Sequence, residues 1–217
     1  TNLYPGTARY FLEYPEDIQL YGVSFNTEIG ATGISLQGEV SYRNDMPLQI
    51  DDVELLIAGL TPYKPVLGNI GLINPAWQGR SMTQLGQQDF NSYIQGYQRF
   101  DVWQPQVTAT KLFGPTLGAN QWVLVGEVGA TVVPDLPDKD LLRFDGPGTS
   151  LSGDPLAKLI LSGEGGHAND RYEPASAFAD DFSWGYRLAA RIDYTDVFGG
   201  VNLSPAIAFA HDVDGNT

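Results

Sequence analysis

Hydrophobic and polar residues alternate without a break along residues 34–43, which read ISLQGEVSYR. Successive side chains of a β-strand point to opposite faces, so this segment has one apolar face and one polar face. Five further segments follow the pattern less strictly, with interruptions at Pro105 and Pro205: residues 19–29, 100–113, 121–133, 184–195 and 201–211. The pattern predicts an all-β chain with six strands of about ten residues.

Short and long connections alternate between the predicted strands. The short ones are glycine-rich and read as hairpin turns, at residues 30–33, 114–120 and 197–200. The long ones cover residues 44–99 and 134–183, with short helices predicted at residues 51–60 and 154–161. Tight turns at one end and long loops at the other are typical of a transmembrane β-barrel. Ten residues at about 3.3 Å each, tilted by about 40°, span about 25 Å, the height of such a barrel's apolar band.

Aromatic residues are common near the ends of the predicted apolar faces. Those that we assign to girdles at the two membrane interfaces are Trp103, Trp122, Trp184, Tyr186 and Tyr194. In a soluble protein the same residues would be ordinary core aromatics, since the two sheets of a sandwich bury their apolar faces against each other. The sequence leaves both interpretations open.

Composition excludes several classes of protein. A net charge of −14 argues against a nucleic-acid partner, because such partners require cations that neutralise phosphate. The absence of cysteine excludes a disulfide framework and a cysteine metal site. Two histidines, His167 and His211, are too few for a three-histidine metal site, and neither has a serine placed to form a triad. We therefore predict no enzyme activity, no catalytic residue, no metal and no cofactor.

Three blocks of sequence resemble a family of bacterial outer-membrane proteins of unknown function, of the β-barrel type. They read GISLQGEVSYRNDMPLQIDDVELL, VTATKLFGPTLGANQWVLVGEVGAT and FADDFSWGYRLAARIDYTDVFGGVNLSPAIAFAHDV. The resemblance implies a location in the bacterial outer membrane and supplies neither a catalytic residue nor a substrate. Six strands are fewer than the eight of the usual smallest barrel, so residues 1–217 are expected to form one segment of a larger, antiparallel up-and-down transmembrane barrel.

In such a barrel the polar faces of the strands line the lumen. They carry seven charged residues that we predict to be pore-lining: Glu28, Glu39, Arg43, Glu127, Arg187, Arg191 and Asp193. Arg187 and Arg191 lie four residues apart, hence on one face and about 13 Å from each other. Opposed acidic and basic ladders would select solutes by charge and size. The alternative is that these charges pair with one another and stiffen or plug the wall.

Two functions from different classes remain open. The leading hypothesis is an outer-membrane channel or transport component for small molecules, hydrophobic ones included. Its expected partners are outer-membrane lipid and lipopolysaccharide, an unidentified small solute and other envelope transport proteins. Acidic residues 135–145 are either a site for divalent ions that bridge lipopolysaccharide or a solvated loop. The alternative is a soluble or surface-exposed β-sandwich that acts as a binding or adhesion module.

Overall fold

A computed structural model describes residues 9–63, 83–153 and 172–216. These residues form seven β-strands, one α-helix and two short 3-10 turns, at Thr61–Tyr63 and Ala175–Ala177. In chain order the longer elements are β1 Gln19–Glu28, β2 Ile34–Gln49, α1 Asp52–Leu60, β3 Tyr97–Phe113, β4 Gln121–Val132, β5 Phe182–Phe198, β6 Val201–Leu203 and β7 Ala206–Asp214. The predicted helix at residues 51–60 is confirmed, and residues 154–161 lie outside the described residues.

All seven strands belong to one antiparallel sheet. From β1 to β5 each strand pairs with the next one along the chain, and both β6 and β7 pair with β5. The predicted all-β, antiparallel and mostly up-and-down arrangement is confirmed. The sheet is open rather than closed, with β1 at one edge and β6 and β7 at the other.

The number and length of the strands differ from the prediction. The sixth predicted strand is two strands, because Pro205 has no N–H to donate to the ladder. Its carbonyl still accepts a hydrogen bond from Ile192 N at 3.0 Å. The expected interruption at Pro105 is wrong, since β3 runs through this residue opposite Val40 of β2. β2, β3 and β5 are 16, 17 and 17 residues long, so they extend beyond the alternating segments.

The connections give the sheet two different ends. Residues 29–33, 114–120 and 199–200 connect strands tightly at one end, which we call the turn end. Residues 50–96 and 133–181 connect strands at the opposite end, which we call the loop end. Short connections at the turn end thus alternate along the chain with long connections at the loop end.

One face of the sheet carries the apolar residues of the alternating pattern, and we call it the apolar face. Its side chains are exposed: Leu188 has 47% and Phe209 has 53% of its surface accessible. Among the described residues, the strands contact one another and α1 contacts the adjacent 3-10 turn, so no second layer covers this face. Phe25 packs over Gly38 of β2, where an added Cβ would lie 2.2 Å from the ring.

The buried core lies instead at the loop end. Ile50, Phe144 and Ala179 form its centre, and Phe100 packs edge-on against Phe144 with 5.1 Å between ring centroids. We call this assembly of residues 50–60, which include α1, with residues 83–88, 133–153 and 172–181 the loop cluster. Within the described part of the chain, no helix is long and apolar enough to cross a membrane.

Candidate functional site

The register of the strands brings polar residues from separate segments together on the face opposite the apolar face. On this polar face, Glu127 of β4 lies between Thr108 of β3 and Arg187 of β5. One step toward the loop end, Glu39 of β2 lies opposite Gln106 of β3. The alternating pattern predicts that these residues share a face, and the pairing of the strands places them beside one another.

A cavity of about 530 Å³ lies on the polar face near the loop end. Four of the predicted pore-lining residues line it, namely Glu39, Arg43, Glu127 and Arg187. Two further carboxylates, Asp212 and Asp214, reach it from β7. Four carboxylates and two guanidinium groups therefore line the cavity, which gives it a negative electrostatic potential.

Neutral side chains hold some of these charges in place. Glu127 Oε2 accepts hydrogen bonds from Gln106 Nε2 at 2.9 Å and from Thr108 Oγ1 at 3.1 Å. Arg43 donates to Gln104, whose amide nitrogen lies 3.4 Å from Thr131 Oγ1. These contacts cross from β2 through β3 to β4 and order the floor of the cavity.

The other three predicted pore-lining residues lie nearer the turn end. Glu28 is opposite Ser35 at the end of β1. Arg191 Nε donates to Asp193 Oδ1 at 2.9 Å, and Ser204 Oγ donates to the same oxygen at 2.6 Å. The predicted set is therefore divided between the cavity and the turn end. Lining of a pore remains a prediction for all seven residues.

A second and smaller cavity of about 280 Å³ adjoins the turn end. On the polar face it is lined mainly by small or branched apolar side chains: Val123, Val125, Ala189, Ala206 and Ala208. The signal for this region is present in the sequence, because the polar face of segment 121–133 already includes Val123 and Val125. Without the register, their proximity to alanines of β5 and β7 cannot be derived.

Inside the loop cluster, a fully buried ion pair connects two distant segments. Glu54 of α1 has 0% exposure and pairs with Arg143, 89 residues further along the chain. The Glu54 carboxylate also accepts hydrogen bonds from Thr83 Oγ1 at 2.5 Å and Gln84 N at 2.8 Å. Arg143 Nε lies 3.7 Å from Asp51 Oδ2. The pair thus links the first long connection, which contains α1, to the second.

Sequence analysis did not identify this pair. The available signal was Glu54 itself, which precedes Ala58 by four residues and hence shares its helix face. A carboxylate on the buried face of a helix requires a cation or several donors. Nothing local in the sequence indicates that Arg143 supplies that cation.

Three carboxylates meet at the first turn of α1. One carboxylate oxygen from each of Asp51, Asp52 and Asp145 lies within 4.8 Å of the others. Burial raises the pKa of Asp51 to about 6, with the charge of Glu54 as a further cause. Burial likewise raises the pKa of Asp145 to about 6, followed by the charges of Asp52 and Asp51. Asp51 caps the helix by accepting from Val53 N at 3.0 Å, which accounts for a carboxylate at this positive helix end.

Aromatic residues form two rows across the apolar face. The loop-end row contains Tyr21, Tyr42, Trp103 and Phe182, with ring centroids of Tyr42 and Trp103 4.5 Å apart. The turn-end row contains Phe113 and Trp122, whose centroids are 5.1 Å apart. Trp184 and Tyr186 of the predicted girdles lie between the rows, and Tyr194 lies beyond the turn-end row.

Comparison with known proteins identifies one family. The sequence matches the family described as protein of unknown function (DUF1302) over residues 1–217. No curated protein and no solved structure matches the chain. The predicted membership of a family of unknown function is therefore confirmed, while the family's description names no location, fold or activity.

Proposed function

We propose that this chain, which belongs to the DUF1302 family, is part of the wall of a bacterial outer-membrane β-barrel channel for small solutes. In this proposal the apolar face contacts lipid and the polar face lines a water-filled lumen. Outer-membrane lipid and lipopolysaccharide surround the barrel. Additional strands at the β1 and β7 edges close the sheet, since a membrane has no water to satisfy the backbone groups of an open edge.

The exposed apolar face is the observation that carries the proposal. Val23 and Ile207 have 77% and 72% of their surfaces exposed, in addition to Leu188 and Phe209. A continuous apolar surface of this kind marks a protein or membrane interface. Hydrocarbon is a suitable partner because it covers every outward side chain without a second layer of protein.

The spacing of the two aromatic rows supports a membrane. Trp103 and Phe113 are ten residues apart on β3, which corresponds to about 33 Å along the strand and about 25 Å across a membrane at a tilt near 40°. Lys111 lies beside the turn-end row, with its ammonium 5.1 Å from the centroid of the Phe113 ring. A lysine at this level keeps its aliphatic stem in lipid and extends its charge to the headgroups.

The cavity on the polar face supports passage of solutes rather than a purely structural wall. Its charged groups are spread over β2, β4, β5 and β7, as expected of a constriction. The excess of carboxylates favours cations. The loop cluster lies at the same end of the sheet as this cavity, where the long loops of outer-membrane barrels control entry.

The proposal is tested with the full-length protein. We expect it to be extracted only by detergent, to run faster on a gel before heating than after, and to form cation-selective pores in planar bilayers. Arg187→Glu should raise the preference for cations, because Arg187 lines the cavity. Arg191→Glu is the matched control and should have a smaller effect, because Arg191 lies outside this cavity, nearer the turn end.

Folded, monodisperse protein in buffer without detergent would contradict the membrane location and favour a β-sandwich. Detergent-dependent protein without conductance would contradict the channel and leave a structural barrel.

A further inference from the structure

The polar face is divided into a charged half and an apolar half. The charged half is the cavity near the loop end, with Glu39 and Glu127 among its carboxylates. The apolar half is the smaller cavity near the turn end. The division matters because a lumen that passes only small hydrophilic solutes has no need of a contiguous apolar surface.

Three adjacent strands form the apolar half, which we call the apolar patch. Its side chains are Val123, Val125, Ala189, Ala206 and Ala208. Val125 pairs with Ala189, and Ala189 pairs with Ala208, so the patch is continuous from β4 through β5 to β7. Ala210 extends it along β7, which gives a length of about 13 Å from Ala206 at 3.3 Å per residue.

Different charges border the patch on its two sides. At the turn end, Arg191 lies between Val123 and Ala206 in the lining of the same cavity, and its Nε donates to Asp193 Oδ1 at 2.9 Å. Toward the loop end, Glu127 and Arg187 are two residues from Val125 and Ala189, or about 7 Å along their strands. A molecule whose apolar part lies on the patch therefore brings its other end to the charged cavity.

The sign of the preferred head group follows from the charges of that cavity. Carboxylates outnumber guanidinium groups by four to two, and the two from β7, Asp212 and Asp214, lie on the strand that also carries Ala206 and Ala208. A cation is thus attracted to the cavity, whereas an anion must approach a net negative surface. Arg187 would favour an anion, whereas the charge of Arg191 is balanced by Asp193.

We infer that the lumen binds small amphiphilic cations, with the apolar part on the patch and an ammonium group near Glu127 and Asp212. This inference rests on the proposed channel and names its substrate class. Two physical effects favour such a ligand, because its methylene groups leave water on the patch and its positive charge lies among carboxylates.

Three probe ions test the inference on the full-length protein in planar bilayers. Hexyltrimethylammonium has a tail and a positive charge, tetramethylammonium has the charge without the tail, and hexanesulfonate has the tail with a negative charge. We expect hexyltrimethylammonium to block the current at a concentration about tenfold lower than either of the others, a difference of about 1.4 kcal/mol.

Variants separate the patch from the charges. Val125→Thr combined with Ala208→Ser adds two hydroxyl groups with little change in shape, and should abolish the advantage of the hexyl tail without altering block by tetramethylammonium. Val128→Thr on the apolar face of the same strand is the matched control and should leave all three probes unchanged. The heat-dependent gel shift verifies that each variant is folded.

The outcomes distinguish this inference from the channel proposal. Absence of conductance in the unmodified protein overturns the channel itself. If the protein conducts but hexyltrimethylammonium blocks no better than tetramethylammonium, or no better than hexanesulfonate, only the inference of an amphiphilic cation is overturned.

Discussion

The loop cluster and the sheet achieve stability in opposite ways. The loop cluster buries Phe144 and Phe178, at 1% and 0% exposure, and encloses the pair of Arg143 and Glu54. In the sheet, large apolar residues such as Leu188 remain exposed on one face, while charged residues line the cavity on the other.

This difference indicates which part depends on its surroundings. The loop cluster has the organisation of a soluble protein interior, with apolar contacts around a buried ion pair. In the described part of the chain the sheet has hydrogen-bonded strands and no core of its own, so in the proposed barrel lipid must cover its apolar face. Substitutions in the two regions should consequently respond to different conditions.

The largest effect is expected when the buried pair of the loop cluster is broken. Arg143→Met leaves the Glu54 carboxylate buried without its cation, which costs about 3–5 kcal/mol. Hydrogen exchange of α1 and residues 133–153 should accelerate, while exchange in β4 and β5 stays slow. Hydrogen-exchange mass spectrometry of the full-length protein in detergent measures both regions at once.

Two further variants define the control. Arg191→Met removes an ion pair whose arginine side chain is 59% exposed, and should cost less than about 1 kcal/mol. Arg143→Met combined with Glu54→Leu removes both buried charges and should recover most of the protection. Similar exchange in Arg143→Met and Arg191→Met would show that the buried pair does not hold the loops.

The next largest effect is expected from placing a charge on the apolar face of the sheet, compared with the same charge on the polar face at the neighbouring residue. Leu188→Lys places a charge on the apolar face and should cost about 2–4 kcal/mol if that face meets the middle of a bilayer. Ala189→Lys places the same charge on the polar face, where water surrounds it. Urea-dependent refolding into lipid bilayers gives both free energies, and equal values would contradict the assignment of the faces.

An intermediate effect is expected from pH, and only in the loop cluster. Because the pKa of Asp51 is raised from 3.8 to about 6, its proton binds more tightly in the folded loops. The resulting stabilisation is complete below pH 3.8 and is lost as the pH rises through about 6. We expect Asp51 by itself to stabilise the loops by about 2 kcal/mol more at pH 4.5 than at pH 7.5.

Asp51→Asn tests this dependence, since asparagine retains the helix cap and does not titrate. Asp145→Asn removes the second carboxylate whose pKa is raised. Hydrogen-exchange rates, corrected for their intrinsic pH dependence, should show that lowering the pH from 7.5 to 4.5 stabilises the loops less in each variant than in the unmodified protein. An undiminished gain in the double variant would assign the pH response to other groups.

The smallest effects are expected when one glycine in each of the two regions is replaced by alanine. An added Cβ at Gly153 would lie 2.4 Å from the Phe178 ring and 2.8 Å from Arg143 Cδ, both in the loop cluster. Gly153→Ala should therefore cost about 1 kcal/mol or more, because buried neighbours have little room to move. At Gly38 the Phe25 ring is 51% exposed and can turn away, so Gly38→Ala should cost less. Thermal unfolding of both variants measures which substitution costs more stability.

Periodicity predicted those features that depend on neighbouring residues. The alternation from Ile34 to Tyr42 predicted a strand with one apolar face, and glycine-rich segments predicted the tight turns. The acids at Asp51 and Asp52 predicted the start of α1. Each of these signals lies within about ten residues, which is the range of strand, turn and helix-cap preferences.

Features that depend on distant residues could not be predicted in the same way. The pair of Glu54 and Arg143 joins the two long loops, and the apolar patch requires the register of β4, β5 and β7. The extension of β2 beyond Arg43 includes a register shift before Met46 and a positive φ of 57° at Asp45. Such an irregularity interrupts the alternating pattern, so the pattern predicts the end of a strand at a point where β2 continues.

In the proposed barrel the apolar face meets lipid and the polar face meets water. Because the chain has no cysteine, a single cysteine at each of residues 186–192 can carry a nitroxide label in the full-length protein in bilayers. Electron paramagnetic resonance then measures accessibility to oxygen, which concentrates in lipid, and to a water-soluble nickel complex. We predict that labels at even-numbered positions favour oxygen and labels at odd-numbered positions favour nickel. Equal access of the nickel complex to labels at residues 188 and 189 would contradict the assignment of one face to lipid and the other to water.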